Sequence, residues 1–140
     1  MLTIFVDAAF YVAMINTRDE KHQLAIDVYR RLRERGSLSL VTSYAVVFEV
    51  MAFYSRMGPE LRESATRFVE RLRTSPITTI LPITDSLFSE ALELYGSRLD
   101  QRYSLADCSS MIIARRRGIT EILTADSDFR TEGFTILMDA

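Results

Sequence analysis

Four carboxylates in this 140-residue chain occupy positions from which acids can do chemistry: Asp7, Glu49, Asp107 and Asp126. Asp7 directly follows the apolar, β-rich run LTIFV at 2–6, and Asp126 directly follows EILTA at 121–125. Asp107 falls in the first turn of a helix that opens at Ser104 and continues into Met111-Ile112-Ile113-Ala114. Glu49 is the odd member. Every other residue from Tyr44 to Tyr54 is apolar or aromatic, which predicts a helix buried nearly all round with one acid inside it. An unpaired carboxylate there costs many kcal/mol, so it must take up a proton or find a cation.

If the four converge, their mutual repulsion raises some pKa values sharply unless positive charge joins them. Hard divalent ions meet that need. The single cysteine, Cys108, excludes a thiolate cluster, and the single histidine, His22, removes most remaining soft-ligand options, so the ligands must be oxygens. Mg²⁺ or Mn²⁺ accepts such ligands and is commonly completed by substrate phosphate oxygens. The chemistry this points to is metal-dependent hydrolysis of a phosphodiester.

Each acid also has a plainer reading. Ser104 and Asp107 have the spacing of a capping box. Asp7 and Asp126 fit acids favoured by a helix dipole, and Glu49 fits one half of an ion pair with a buried arginine. Asp128 fits an Asx turn bonded to its own loop. Taken together, three acids at element ends and one inside an apolar helix form a rarer coincidence than any of them singly.

The elements that must position these acids alternate along the whole chain. The patterns predict strands at 2–6, 37–41, 77–83, 121–125 and 134–138. Between them, helices are predicted at 8–16, 19–35, 44–57, 60–74 and 85–95, and from Ser104 to the stop at Gly118. Strands spaced by helices imply βαβ units, hence one α/β domain over 1–140 with a parallel sheet covered on both faces. In such a sheet ligands bind beyond the carboxyl ends of the strands, where strand order reverses. Strands one and four as neighbours at that point would bring Asp7, Asp107 and Asp126 together.

Hydrophobic residues make up 48% and charged residues 26%, the balance of a globular domain, and no apolar run nears the ~20 residues that span a bilayer. A cytoplasmic protein is expected. Sixteen of the 17 basic residues are arginine, yet the net charge is −2, which argues against passive, charge-driven nucleic-acid binding but not against an enzyme that meets phosphates through ions. Arg98 and Arg102, in the loop before Asp107, are better placed to meet a phosphate backbone than Arg115-Arg116-Arg117 at the far end of that helix. Cys108 reads as a small buried hydrophobe and His22 as exposed and inert. Phe10, Tyr11, Met14, Met51, Phe53, Tyr54 and Met57 exceed what a minimal core needs, which leaves some for a protein–protein surface.

The order of these motifs strongly resembles the PIN-domain ribonucleases, especially the VapC-like toxins of toxin–antitoxin pairs. The likeness runs through FVDAAFYVAMINTRDEKHQLA, VTSYAVVFEVMAFYSRMG, RYSLADCSSMIIARRRGITEILTADSDF and GFTIL, essentially the whole chain. It implies a three-layer α/β/α PIN-like fold with a five-stranded parallel sheet. By the same resemblance Asp7, Glu49 and Asp107 match the three most characteristic acids and Asp126 the more variable fourth. Ser104 matches a hydroxyl position near the site, with Thr124 and Asp128 in support; many relatives carry a basic residue where this chain has Asp128. The implied activity is Mg²⁺- or Mn²⁺-dependent endoribonuclease action on RNA, with Asp7, Asp107 and Asp126 on the ion and Glu49 a direct ligand or the holder of a water. The implied partners are a small antitoxin and a second copy of the chain.

Rival readings make different demands. A phospho-receiver domain wants an acid pair after strand one and a lysine after strand five, whereas this chain has a lone Asp7 and no lysine beyond Lys21. An aspartyl phosphatase wants a second acid at position 9, which is Ala9. A housekeeping PIN nuclease, or a PIN-like binding module without activity, remains compatible with the motifs.

Overall fold

A computed structural model describes residues 1–139 of the chain. Its five strands are β1 (Leu2–Val6), β2 (Leu38–Ser43), β3 (Thr78–Leu81), β4 (Glu121–Leu123) and β5 (Thr135–Ile136). Seven helices join them: α1 (Ala8–Ile15), α2 (His22–Glu34), α3 (Tyr44–Tyr54), α4 (Pro59–Thr74), α5 (Asp85–Ser97), α6 (Leu105–Arg116) and α7 (Asp128–Thr131). All strand pairs are parallel in the order β3-β2-β1-β4-β5, and the helices flank the sheet, as expected of an α/β/α fold. Among the described residues no helix is long and apolar enough to cross a membrane.

The strand order follows from the chain path. It moves outward from β1 through β2 to β3, then returns across the sheet to lay β4 on the other side of β1, pairing Phe5 with Ile122 and Val6 with Leu123. Right-handed crossovers put the helices of the outward path on one face and those of the return path on the other. Ile4, Phe5, Val6, Ile122 and Leu123 are fully buried, as strands covered on both faces must be.

Several local boundaries differ from the sequence patterns, each for a physical reason. Helix α5 runs through Gly96 to Ser97 because Gly96 does not adopt the left-handed conformation that ends a helix, and α5 packs along α6. Gly118 does adopt it, at φ 66°, and closes α6 with bonds from Gly118 N to Arg115 O and from Ile119 N to Ala114 O. The segment before α2 is a turn, in which Asn16 and Asp19 side chains accept from Arg18 N and Lys21 N. His22 is not inert: its Nδ1–H donates to the Ala13 carbonyl at 2.7 Å and ties α2 to α1. The four-residue α7 is absent from the sequence pattern.

Helix α3 is not buried all round. Val46, Val47, Val50 and Tyr54 face the core, while Phe48 is 74% exposed and Tyr44 and Phe53 lie open beside it. Apolar composition alone cannot say whether a helix face meets the core or lies open. Of the surplus aromatics and methionines, Phe10, Tyr11 and Tyr54 belong to the core, Met14 and Met51 are half-buried against it, and Phe53 and Met57 are exposed.

Candidate metal centre

Asp7 stands at the carboxyl end of β1, in the N-cap position of α1, with its backbone N–H donating to Leu123 O on β4. Its side chain is buried, and its Oδ2 accepts from the Thr124 hydroxyl at 2.8 Å. The Thr124 oxygen in turn accepts from Asp126 N at 3.1 Å, so one buried hydroxyl links the acid after β1 to the acid after β4. Burial, opposed by the Thr124 bond and helped by the charges of Asp107 and Asp126, raises the Asp7 pKa to about 6.

Asp107 fulfils the capping role and more. Ser104 Oγ accepts from Asp107 N at 2.9 Å, and Asp107 Oδ2 accepts from Ser104 N at 3.0 Å, which closes the capping box. This fixes the first turn of α6, and with it the Asp107 carboxyl, without removing it from the cluster. Burial leads the causes that raise its pKa, with the charges of Asp126 and Asp128 adding to it.

Glu49 reaches the same place from the middle of α3. One carboxylate oxygen each from Asp7, Glu49 and Asp107 lie within 4.8 Å of one another. Glu49 Oε1 is buried and has no hydrogen-bond partner, and among the described residues no arginine pairs with it. Desolvation, then the charges of Asp7, Asp107 and Asp126, raises its pKa to about 7. A buried, unpartnered carboxylate oxygen crowded by two other acids is the arrangement a hard cation relieves, and the all-oxygen donor set suits Mg²⁺ or Mn²⁺.

Asp126 stands at the rim. It is half-buried, its charge is felt by the other three acids, and its Oδ1 accepts from Asp128 N at 2.9 Å to start α7. The Asx turn expected of Asp128 is thus made by Asp126 instead, because Asp126 precedes the helix that Asp128 begins. Burial and the neighbouring Asp126 raise the Asp128 pKa, and the positive charge of Arg102 partly opposes them.

Residues 4–133 match the profile of the PIN domain. The chain belongs to the PIN-domain family. A curated PIN-type relative, the 23S rRNA-specific endonuclease VapC20 of Mycobacterium tuberculosis, is 28% identical over 131 residues, covering 94% of this chain and 95% of that protein. The crystal structure of M. tuberculosis VapC20, a sarcin–ricin loop cleaving toxin, matches with a TM-score of 0.81 at 26% identity over 94% of this chain and 96% of that one. FitAcB from Neisseria gonorrhoeae shares the fold, with a TM-score of 0.63 at 16% identity over 96% of each chain. So does FitAB bound to the IR36 DNA fragment, at 0.66 and 15% identity over 95% of this chain and 92% of that one.

Two arginines expected at the substrate differ in their surroundings within this PIN domain. Arg98 is committed to Glu132, donating from Nε at 2.9 Å and Nη2 at 3.3 Å, whereas Arg102 is exposed and forms no ion pair or hydrogen bond among the described residues. Arg115 also serves Glu132, at 2.8 Å, and Arg116 pairs with Glu90, so that part of the arginine run is structural. Glu132 itself escapes any reading of the sequence. Its carboxylate, 5% exposed, collects Arg98, Arg115 and the Tyr103 hydroxyl, and burial fails to offset those donors, so its pKa is held down at about 2.

Proposed function

We propose that this chain is a metal-dependent endoribonuclease that hydrolyses RNA phosphodiester bonds as the toxin of a VapBC-type toxin–antitoxin pair. The observation that carries the reading is the unpartnered, buried Glu49 oxygen standing with Asp7 and Asp107 at the β1–β4 switch point. Whole-length similarity to a named ribosomal RNA endonuclease supports the same reading, and 23S rRNA is the first substrate to try.

Asp7, Asp107 and Glu49 would hold Mg²⁺ or Mn²⁺, with Asp126 joining from the rim. When bound, the ion supplies charge to offset that growing on the phosphate oxygens and makes a water easier to deprotonate. The protein's own contribution is position. Thr124 fixes the Asp7 carboxylate and the Asp126 backbone, the Ser104 box fixes Asp107, and the rigid packing of α3 holds Glu49. Glu49, as a direct ligand or as the holder of a water, would orient that water as RNA is cut. Cys108 is fully buried and takes no part.

The exposed aromatic face of α3 is suited to coverage by a second copy of the chain, and a small antitoxin would silence the site; both partners are sought in the cytoplasm. The test is incubation of the purified chain with 23S rRNA in Mg²⁺ or Mn²⁺ and in chelator. Discrete cleavage that chelator abolishes is expected. Intact RNA under every ion, or cutting undiminished by chelator, overturns the reading. Expression of the chain alone is expected to arrest growth, and co-expression of the adjacent small gene to relieve it.

A further inference from the structure

A hollow of about 200 Å³ lies between the end of α5 and the loop that leads to Ser104, lined by Tyr95, Arg98, Leu99, Gln101, Arg102 and Tyr103. It is smaller than the ~300 Å³ at which pockets for whole drug-sized ligands begin, so it suits one flat group rather than a complete ligand. Two of its walls are held rigid from below. Glu132 accepts from Arg98 at 2.9 Å and from the Tyr103 hydroxyl at 3.0 Å, and is itself anchored to α6 through Arg115.

The remaining groups are free to meet a ligand. Arg102 is exposed with no partner among the described residues, Tyr95 is 48% exposed, and Leu99 is 86% exposed. A bare guanidinium beside an open aromatic ring matches a phosphate beside a base, since single-stranded RNA is recognised largely by stacking unpaired bases on aromatic faces. The hollow also adjoins the acids through the chain itself: Arg102 and Tyr103 directly precede the Ser104–Asp107 box. In a chain of net charge −2, Arg102 offers an unpaired positive charge five residues before Asp107, and a phosphate oxygen is a group it can meet.

We infer that this hollow seats one unpaired nucleotide of the RNA flanking the cleaved bond, with Arg102 against its phosphate and Tyr95 against its base. Arg98 serves as a wall braced by Glu132 and leaves the phosphate contact to Arg102. The inference rests on the endoribonuclease reading and adds to it the place on this protein where a flanking nucleotide is held. Specificity then comes from the ability of a nucleotide to leave its stack and enter the hollow.

The test uses the full chain and a stem–loop RNA whose unpaired loop carries 2-aminopurine beside the cleavage position. Arg102→Ala and Tyr95→Ala are each expected to raise KM about tenfold with kcat kept within about twofold. Arg102→Ala should also lower the slope of binding against salt by about one ion, while Tyr95→Phe, which keeps the ring, behaves as wild type. Binding to the inactive Asp107→Asn protein should quench the 2-aminopurine, and adding Tyr95→Ala should abolish the quench. Unchanged KM in both alanine variants overturns the inference. So does a fall in kcat at fixed KM, or a KM change that only accompanies loss of a dimer in sedimentation. Wild-type protein that quenches the probe but cuts no RNA overturns the nuclease reading and leaves the hollow standing; protein that neither cuts nor quenches overturns both.

Discussion

The Thr124 hydroxyl donates to Asp7 Oδ2 at 2.8 Å across the β1–β4 seam, joining two residues 117 positions apart in the chain. The same oxygen accepts from Asp126 N, so the side chain sets the spacing of two acid motifs. Thr124→Val keeps the shape but leaves a buried carboxylate oxygen and an N–H unpartnered. A loss of ~1–3 kcal/mol is expected from chemical denaturation. Weakened ion affinity and RNA cleavage, by 10- to 100-fold, should accompany it. Thr124→Ser, which keeps the hydroxyl, should recover most of both, and a valine variant with unaltered cleavage would remove Thr124 from the site.

Asp7→Asn separates function from stability. The amide oxygen can still accept from Thr124, yet the buried negative charge beside Glu49 and Asp107 is gone. RNA cleavage is expected to disappear, while the ion-free variant melts at the same temperature as wild type or a few degrees higher at pH 7.5, because removing a desolvated charge, and with it the repulsion from Asp107 and Asp126, favours the fold. Full cleavage by the folded variant would end the assignment of Asp7.

The parts of this site that were legible in the sequence are those written in local patterns. Asp7 and Asp126 could be placed because each ends an apolar run, and Asp107 because a capping box has a fixed spacing. Glu49 stood out because nothing else polar shares its helix. Glu132 could not be foreseen, since its partners Arg98 and Arg115 lie 34 and 17 positions away and no periodicity relates them. Helix α7 was hidden for a different reason: its start is set by an Asx turn at Asp126 rather than by propensity. The open face of α3 reads like core because an apolar helix has the same composition wherever its faces point.

Glu132 predicts a separate acid sensitivity. Its pKa, held at about 2 by Arg98, Arg115 and Tyr103, is below the unfolded value, so its stabilisation is fully present above about pH 4.5 and is lost as pH falls towards 2. Glu132→Gln should destabilise the fold by ~1–2 kcal/mol at pH 7; the half-exposed arginines can rehydrate, which keeps the loss modest. The difference from wild type should shrink as pH falls through that window. A difference that stays constant from pH 7 to pH 3 would mean that the carboxylate charge contributes nothing.

Asp7 and Glu49 predict the opposite slope. Their folded pKa values, about 6 and about 7, lie above the unfolded carboxyl range near 4. Below about pH 4 both states hold these protons and no penalty exists. Between pH 4 and 7 the unfolded chain releases them while the folded chain retains them, so stability falls as pH rises, by on the order of 2 kcal/mol for each group. An ion must displace the same protons, so its affinity should climb through this window. Added Mg²⁺ or Mn²⁺ is therefore expected to raise the melting temperature strongly at pH 8 and little at pH 5. The Asp7→Asn/Glu49→Gln double variant, which lacks both protons and both charges, should show neither the slope nor the ion effect. An equal ion-induced shift at pH 5 and pH 8, or one that survives in the double variant, would place the cation elsewhere on the protein.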